Sequence, residues 1–450
     1  MSLLLDFAYF LAALLASPWI AYRLIARGDW RGLSARFGAG LGPQLPGSIW
    51  LHGSSAGEIA LLVPLVRLLD ENEVSHSLVI SAYSATGIAA ARRTFPDRNV
   101  VVFPFDLSFV VRRVLRRLDP RLIVIVESEY WPNFLRAARR RKIPVAVING
   151  KISERSQRLY ARTLFVPMLL RQLSLIALQT DAYEQRMRAL GVSRELMRVT
   201  GNMKYDLARL PEASGRAQLL REQLGYRAGD IVIIGGSVHE REDAALISAF
   251  RELRSDHARL GLVLVPRYPT DARRVEQLAV SAGFPVVRKT AIDRGACAAP
   301  GRSSVLVVDT IGELRGLYGI ADIAFVGGSL FYRSSNKGGH NLMEPAVYGI
   351  PVVFGSFNYS FRDTARELVD AEAGFEVSDA DALTDMLRRL LDDKSLRHAS
   401  GRRAAEVIIA GQGATQKNFE LLMPLIDAAG LRLPASGLSP TMPPALNDAE

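Results

Sequence analysis

Cysteine is almost missing from this 450-residue chain: Cys297 is the only one. A lone thiol excludes an intrachain disulfide and a cysteine metal cluster, and it fits a reducing compartment. Histidine is scarce too, with six in all. They are scattered and form no helical i, i+4 pair, which speaks against a zinc site. The pattern G-x-x-x-x-G-K-[ST] does not occur, which removes the usual P-loop reading. A surplus of acid is also lacking. The formal net charge is +10, a balance that favours nucleic acid, an anionic membrane surface or phosphorylated substrates. Apolar residues, by contrast, make up 49% of the chain. That supports sizeable cores, argues against global disorder, and leaves room for two domains of ordinary size.

The N-terminus is the longest apolar stretch. Leu3 to Tyr22 is broken only by Asp6 and by Ser17-Pro18, and matches the about 20 residues that a bilayer-spanning helix needs. Arg23, Arg27 and Arg31 follow and would keep the next domain cytoplasmic. Residues 1–30 therefore read as an N-terminal membrane anchor helix, spanning or embedded. A buried helix and a cleaved signal are the competing readings. The signal is weakened by Asp6 and by the missing positive charge ahead of the run.

From Ser48 onward, short apolar runs alternate with helical patterns. Ile49–His52, Ser77–Ile80, Val100–Phe103, Leu122–Val126, Pro144–Ile148 and Leu175–Leu178 read as strands of a first unit. Ile231–Ile234, Leu262–Val265, Val305–Val308, Ile323–Val326 and Pro351–Phe354 read as strands of a second. Continuous apolar strands between helices indicate parallel sheets covered on both faces. The expected fold is α/β, with two Rossmann-like doubly wound domains facing a cleft, over 31–206 and 207–433. The whole resembles glycosyltransferases of the GT-B type, and that resemblance implies an acceptor on the first domain and a nucleotide-sugar donor on the second. A linker runs over Leu207–Gly215, and a disordered tail fills 434–450.

Five places could carry chemistry. His52-Gly53-Ser54-Ser55-Ala56-Gly57-Glu58 follows a strand. There Glu58 is either a dipole-stabilising carboxylate at a helix start or a general base for an alcohol. The same turn matches G-x-S-x-G, so Ser55 as a hydrolase nucleophile is an alternative, with His239, His257 or His340 as partner. Glu127-Ser128-Glu129-Tyr130-Trp131-Pro132-Asn133 puts two acids on one face while it stays extended. The alternative is a helix start with Pro132 leading. Lys204, in Thr200–Asp206, could neutralise a leaving phosphate or be a solvated lysine. Arg267 could fork onto a phosphate and Tyr268 could stack a base, or both could form an exposed turn. Gly235–Glu240 is a similar turn. Finally, Asp309–Ala346 has the glycine pairs Gly327-Gly328 and Gly338-Gly339 at strand ends before helical patterns. Those helix starts can hold a phosphate on backbone N–H groups, while Glu313 and Glu344 meet ribose hydroxyls. Asp379-Ala380-Asp381 resembles a metal motif but reads as a helix cap.

Basic residues cluster at Arg112, Arg113, Arg116 and Arg117, and again from Arg136 to Lys142. These are solvated helix faces or contacts to anionic lipid. No aromatic-interleaved basic motif accompanies them, so nucleic acid is not expected as a partner.

Together, and in order, these motifs resemble the 3-deoxy-D-manno-octulosonic acid (Kdo) transferases of lipopolysaccharide synthesis. H-x-x-S-x-G-E starts at His52, E-[ST]-E-x-W-P-N at Glu127, N-x-[RK]-[IL]-S-x-R-S at Asn149 and G-[NS]-x-K-[FY]-D at Gly201. D-T-x-G-E-L, F-V-G-G-S-L and G-G-H-N-x-x-E start at Asp309, Phe325 and Gly338. The resemblance implies CMP-Kdo as donor and a lipid A precursor, lipid IVA, as acceptor, with inverting transfer at the cytoplasmic face of the inner membrane. It implies no metal and no cofactor. It makes Glu58 the general base, with Glu127 and Lys204 stabilising the transition state. Arg267, Tyr268, Ile311, Gly312, Glu313, Asn341, Leu342, Met343 and Glu344 match the CMP-contacting stretches. Tyr268 stands where the family commonly has histidine, and part of Phe331–Lys337 is an insertion.

Overall fold

The computed structural model describes residues 2–17, 22, 32–41, 44–74, 77–163, 165–208, 215–297, 301–333 and 338–432. The expected tail, most of the expected linker, part of the 331–337 insertion and much of 18–31 lie outside them. The chain divides into two compact units. One holds the residues up to Leu207 and those from Gln412, and the other holds Ala208–Gly411.

In the first unit seven strands form a wholly parallel sheet: β1 (Ser48–His52), β2 (Leu78–Ala82), β3 (Asn99–Val102), β4 (Pro120–Val126), β5 (Val145–Gly150), β6 (Leu175–Leu178) and β7 (Met197–Val199). Their order is β3-β2-β1-β4-β5-β6-β7. The apolar runs are continuous because alternate side chains enter different cores. Ile123 and Ile125 of β4 join Trp50, Val79 and Phe134 on one face. Leu122, Val124 and Val126 join Ile49, Leu51 and Ile80 on the other. Each fully buried aliphatic side chain contributes roughly 1.5–3 kcal/mol. The sheet winds outward from β1 in both directions, so its switch point lies between β1 and β4, where sites form beyond the carboxyl ends of strands.

Four helices of this unit bear on function: α1 (Ser2–Leu15), α2 (Ala56–Glu71), α3 (Ser108–Leu118) and α4 (Pro132–Arg140). The first is the described helical part of the expected anchor, most of whose remainder lies outside the described residues. It runs for 14 residues, and no described helix is long and apolar enough to cross a membrane. This part is pinned to the domain. The Asp6 carboxylate accepts from Ser108 N at 2.9 Å, Ser108 Oγ at 2.5 Å and Asn133 Nδ2 at 2.9 Å. Asp106 accepts from Tyr9 OH at 3.0 Å, Asn133 N at 2.9 Å and Phe134 N at 2.7 Å. Neither α3 nor α4 has a side-chain cap of its own. The two aspartates thus serve as remote caps for their exposed N–H groups. Phe7, Phe10, Leu11, Leu14 and Leu15 of α1 remain exposed.

The second unit repeats the plan with β8 (Ile231–Val238), β9 (Leu260–Pro266), β10 (Val286–Arg288), β11 (Val305–Val307), β12 (Ile323–Val326), β13 (Val352–Gly355) and β14 (Gly374–Val377). The order is β10-β11-β9-β8-β12-β13-β14, all parallel, with the switch point between β8 and β12. Its helices include α5 (Glu242–Leu253), α6 (Met343–Ala346) and α7 (Ala380–Asp392). Asp379 caps α7, accepting from Ala382 N at 2.9 Å, which bears out the cap reading of Asp379-Ala380-Asp381. The expected turn at Gly235–Glu240 is instead strand as far as Val238, with a bulge at Ser237 where φ is +53°. Glycine is needed one residue earlier, because a Cβ on Gly236 would lie 2.0 Å from Tyr318 OH.

The second unit also ends earlier than the expected residue 433. α8 (Ala414–Ala428) belongs to the first unit. Phe419, Leu422 and Ile426 enter the core that holds Leu61, Leu62 and Leu65 of α2. Asp206 takes the helix start: its carboxylate accepts from Gly413 N, Thr415 N and Thr415 Oγ1, each at 2.6 Å.

Candidate active site

The loops beyond the carboxyl ends of β1 and β4 flank the first switch point. Ser55 caps α2, accepting from Glu58 N at 3.3 Å. Glu58 reaches back: Oε2 accepts from Ser54 N at 2.7 Å and Oε1 from Ser55 Oγ at 2.9 Å. This is a reciprocal capping arrangement, local in sequence and therefore readable there. It also decides the serine alternative. The Ser55 hydroxyl is aimed at Glu58, as a cap, whereas a nucleophile would be aimed at a histidine. The Ser54 carbonyl is pinned by Tyr83 N, Ser84 N and Ser84 Oγ at 2.9–3.2 Å. The turn is therefore fixed from two sides.

Glu127 ends β4 with φ at +67°, so the expected extended run stops at Val126. Such a conformation costs of order 1–3 kcal/mol for a non-glycine residue. Its N–H donates to Ile148 O at 2.9 Å, and its buried carboxylate pairs with Lys151 Nζ at 2.5 Å. Glu129 accepts from Trp131 Nε1 at 2.7 Å, while Pro132 opens α4 as the alternative reading required. The segment is therefore a turn leading into a helix start, not an extended run with both acids on one face. Burial, then the neighbouring Glu127 carboxylate, raises Glu58 above the ordinary glutamate value, against the pull of Ser54 N–H and the Ser55 hydroxyl. Burial raises Glu129 as well. Three acids with one lysine beside them make a group suited to receiving a proton. Beneath them His52 is fully buried, and burial holds it down at about 3, a neutral ring stacked on Phe103 at 3.9 Å.

Lys204 lies beyond β7 at the same sheet edge. Its N–H donates to Asn202 Oδ1 at 3.0 Å, Met203 N donates to Asn149 Oδ1 at 2.9 Å, and Asp206 is tied to α8. The turn that carries the lysine is thereby fixed to the end of β5.

In the second unit the proposed ligand contacts also lie beyond strand carboxyl ends. The glycine turn after β12 differs from expectation. Glu242, in the first turn of α5, accepts from Gly328 N at 2.7 Å, Ser329 N at 2.9 Å, Leu330 N at 3.0 Å and His239 N at 2.9 Å. The N–H groups expected to face a phosphate are held by the protein's own carboxylate. Gly339, with φ at +76°, lets the second glycine pair approach the first; its N–H donates to Gly328 O at 2.6 Å. The helix expected from Asn341 is the four-residue turn α6, and Asn341 Oδ1 already takes Met343 N at 3.1 Å.

Among the remaining residues, Asn341 Nδ2 donates to Glu344 Oε1 at 3.1 Å, and burial raises Glu344 above its ordinary value. The side chains of Leu342 and Met343 are buried in the core, so only their backbone can meet a ligand. Ile311 is 86% exposed beside Gly312, whose φ is +93°. Lys289 holds Glu313 at 3.2 Å. Tyr268 is exposed, and Arg267 stands 5.5 Å from its ring. Sequence reasoning missed Lys151, Glu242 and Lys289. Only Lys151 had a signal, in the motif starting at Asn149.

A family profile described as 3-Deoxy-D-manno-octulosonic-acid transferase (kdotransferase) matches residues 31–207. A 3-deoxy-D-manno-octulosonic acid transferase of Haemophilus influenzae is 33% identical over 386 residues, 85% of this chain and 88% of its own. Another, from Chlamydia trachomatis, is 30% identical over 428 residues, 91% and 94% of the two chains. Among solved structures, MurG of Acinetobacter baumannii matches with a TM-score of 0.53 at 14% identity, over 84% of this chain and 100% of that one. That likeness is one of fold and gives the GT-B type.

Proposed function

This chain belongs to the 3-deoxy-D-manno-octulosonic acid transferase family, a glycosyltransferase family of lipopolysaccharide synthesis, and from that premise we propose that it moves Kdo from CMP-Kdo to lipid IVA with inversion. Glu58 takes the proton of the acceptor hydroxyl as its oxygen forms a bond to the anomeric carbon. The bond from that carbon to the phosphate oxygen breaks on the opposite face, and its electron pair leaves with CMP. Lys204 and Arg267 meet the charge gathering on the phosphate. Glu127, held by Lys151, sustains the oxocarbenium character of the sugar. Tyr268 and the Ile311–Glu313 and Asn341–Glu344 stretches contact the cytidylate.

The observation that carries this reading is the Glu58 carboxylate, fixed at the switch point by Ser54 and Ser55 and raised in proton affinity by burial and by Glu127. We further propose that the protein works at the cytoplasmic face of the inner membrane, against anionic lipid. Support comes from the exposed apolar side chains of α1 and the arginines of α3. The test is Glu58→Gln with CMP-Kdo and lipid IVA, products read by mass spectrometry. Transfer should fall at least about a hundredfold, as removal of general-base catalysis does, while CMP still shifts the melting temperature. Near-normal turnover would rule out the base assignment.

A further inference from the structure

The carboxyl edge of β8, β9 and β12 carries a cluster of cationic and imidazole side chains, of which the transfer chemistry above uses only Arg267. His239 follows β8 and His340 follows the second glycine pair. Their Nε2 atoms lie 2.9 Å apart and their rings stack at 5.2 Å. Arg333 reaches the same point, its Nη1 2.6 Å from His239 Nε2. Tyr268, beside Arg267, meets His239 edge-on at 6.1 Å.

A guanidinium can only donate. His239 Nε2 therefore accepts from Arg333, and the His239 proton sits on Nδ1. His340 Nε2 must then carry the proton it shares with His239. Two donors converge on a single imidazole lone pair. Burial, then Arg333 and Arg267, push His239 down to about 4. Burial, then His239 and the same arginines, hold His340 at about 4. Both rings are neutral near pH 7, and the charged side chains acting on them are arginines. Such a cluster is complementary to an oxyanion.

Two further observations point the same way. The backbone N–H groups of the adjacent glycine turn are occupied by Glu242, so an anion arriving here is met by side chains. Arg333 is also well placed for an exposed residue. Phe331, two residues before it, lies under the Arg241 guanidinium at 4.1 Å, and Tyr332 packs against Phe357 at 5.7 Å.

We propose that Arg333, His239, His340 and Arg267 form an oxyanion site for an acidic group of the donor, in which Arg333 sets the tightness of donor binding. The inference rests on the CMP-Kdo reading above. The acidic group is the phosphate or the carboxylate of the octulosonic acid; both offer the planar pair of oxygens that a guanidinium fork fits.

Calorimetry with cytidine and CMP, and the KM for CMP-Kdo, decide it on the wild type, Arg333→Ala and Arg333→Lys. Cytidine should bind all three within twofold. Loss of a charge-assisted contact should weaken the oxyanion ligand roughly tenfold to a hundredfold in Arg333→Ala. Lysine should recover part of this, since it keeps the charge but not the fork. Weaker CMP identifies the phosphate; unchanged CMP with a raised KM identifies the carboxylate. Either result supports the site. An Arg333→Ala protein within twofold on CMP and on KM overturns it, as does equal loss of cytidine, which marks a structural role. UMP and uridine run in parallel. A wild type selecting uridine nucleotides sinks the cytidylate reading, and the effect of Arg333 is then read on UMP. A wild type binding neither nucleotide overturns both.

Discussion

At the scale of single residues, Glu58 does two jobs with one carboxylate. It completes a helix cap through Ser54 and Ser55, and it sits beside Glu127 where ionisation is disfavoured. A base must be ionised to act, and the proton affinity of Glu58 is raised. Activity should therefore fade, as pH drops, at a higher pH than an ordinary glutamate would give. Glu127→Gln removes the like charge and leaves Lys151 nearby, so the acid limb of kcat/KM should move to lower pH even as the rate falls. A limb that stays in place would show that another group titrates. Glu58 was legible in the sequence because its partners are three and four residues away. Glu242 was not, because the N–H groups it binds after β12 are 86 to 88 residues distant. Its charge alone reads as an ordinary first-turn acid of α5.

At the scale of elements, the strands that periodicity missed were β7, β10 and β14, and each is an edge strand. An edge is covered on fewer sides, so a polar residue is tolerated: Arg198 in β7, Arg288 in β10, Glu376 in β14. Central strands lack that freedom and show unbroken apolar runs. The N-terminal helix gives the complementary lesson. Its hydropathy reads as a membrane anchor, spanning or embedded, and gives no hint that Asp6 supplies a cap to α3 from 102 residues away. Loss of a cap costs about 1–2 kcal/mol. Asp6→Ala should therefore loosen α1 and speed amide exchange across Ser2–Leu15 roughly tenfold, whereas Phe10→Ala, on the exposed face, should not. Equal exchange in both variants would mean that the latch holds nothing.

At the scale of the whole molecule, the chain leaves the first unit at Leu207 and returns to it at Gln412. Phe419, Leu422 and Ile426 are buried there at roughly 1.5–3 kcal/mol each. Together they match a large part of the about 5–15 kcal/mol that stabilises a domain. A chain ending at Gly411 should show a separate, much lower calorimetric transition for the first unit, while the Ala208–Gly411 unit keeps its own. A single unchanged transition would contradict the return.

The sequence by itself determined the α/β class, the central strands and the order of the family motifs, because continuous apolar runs and nearest-neighbour capping are written in local spacing. The tertiary structure alone decided which N–H groups are already taken, where the last helix docks and which cations stand together. Each of those depends on partners far apart in the chain, and local spacing carries no record of them.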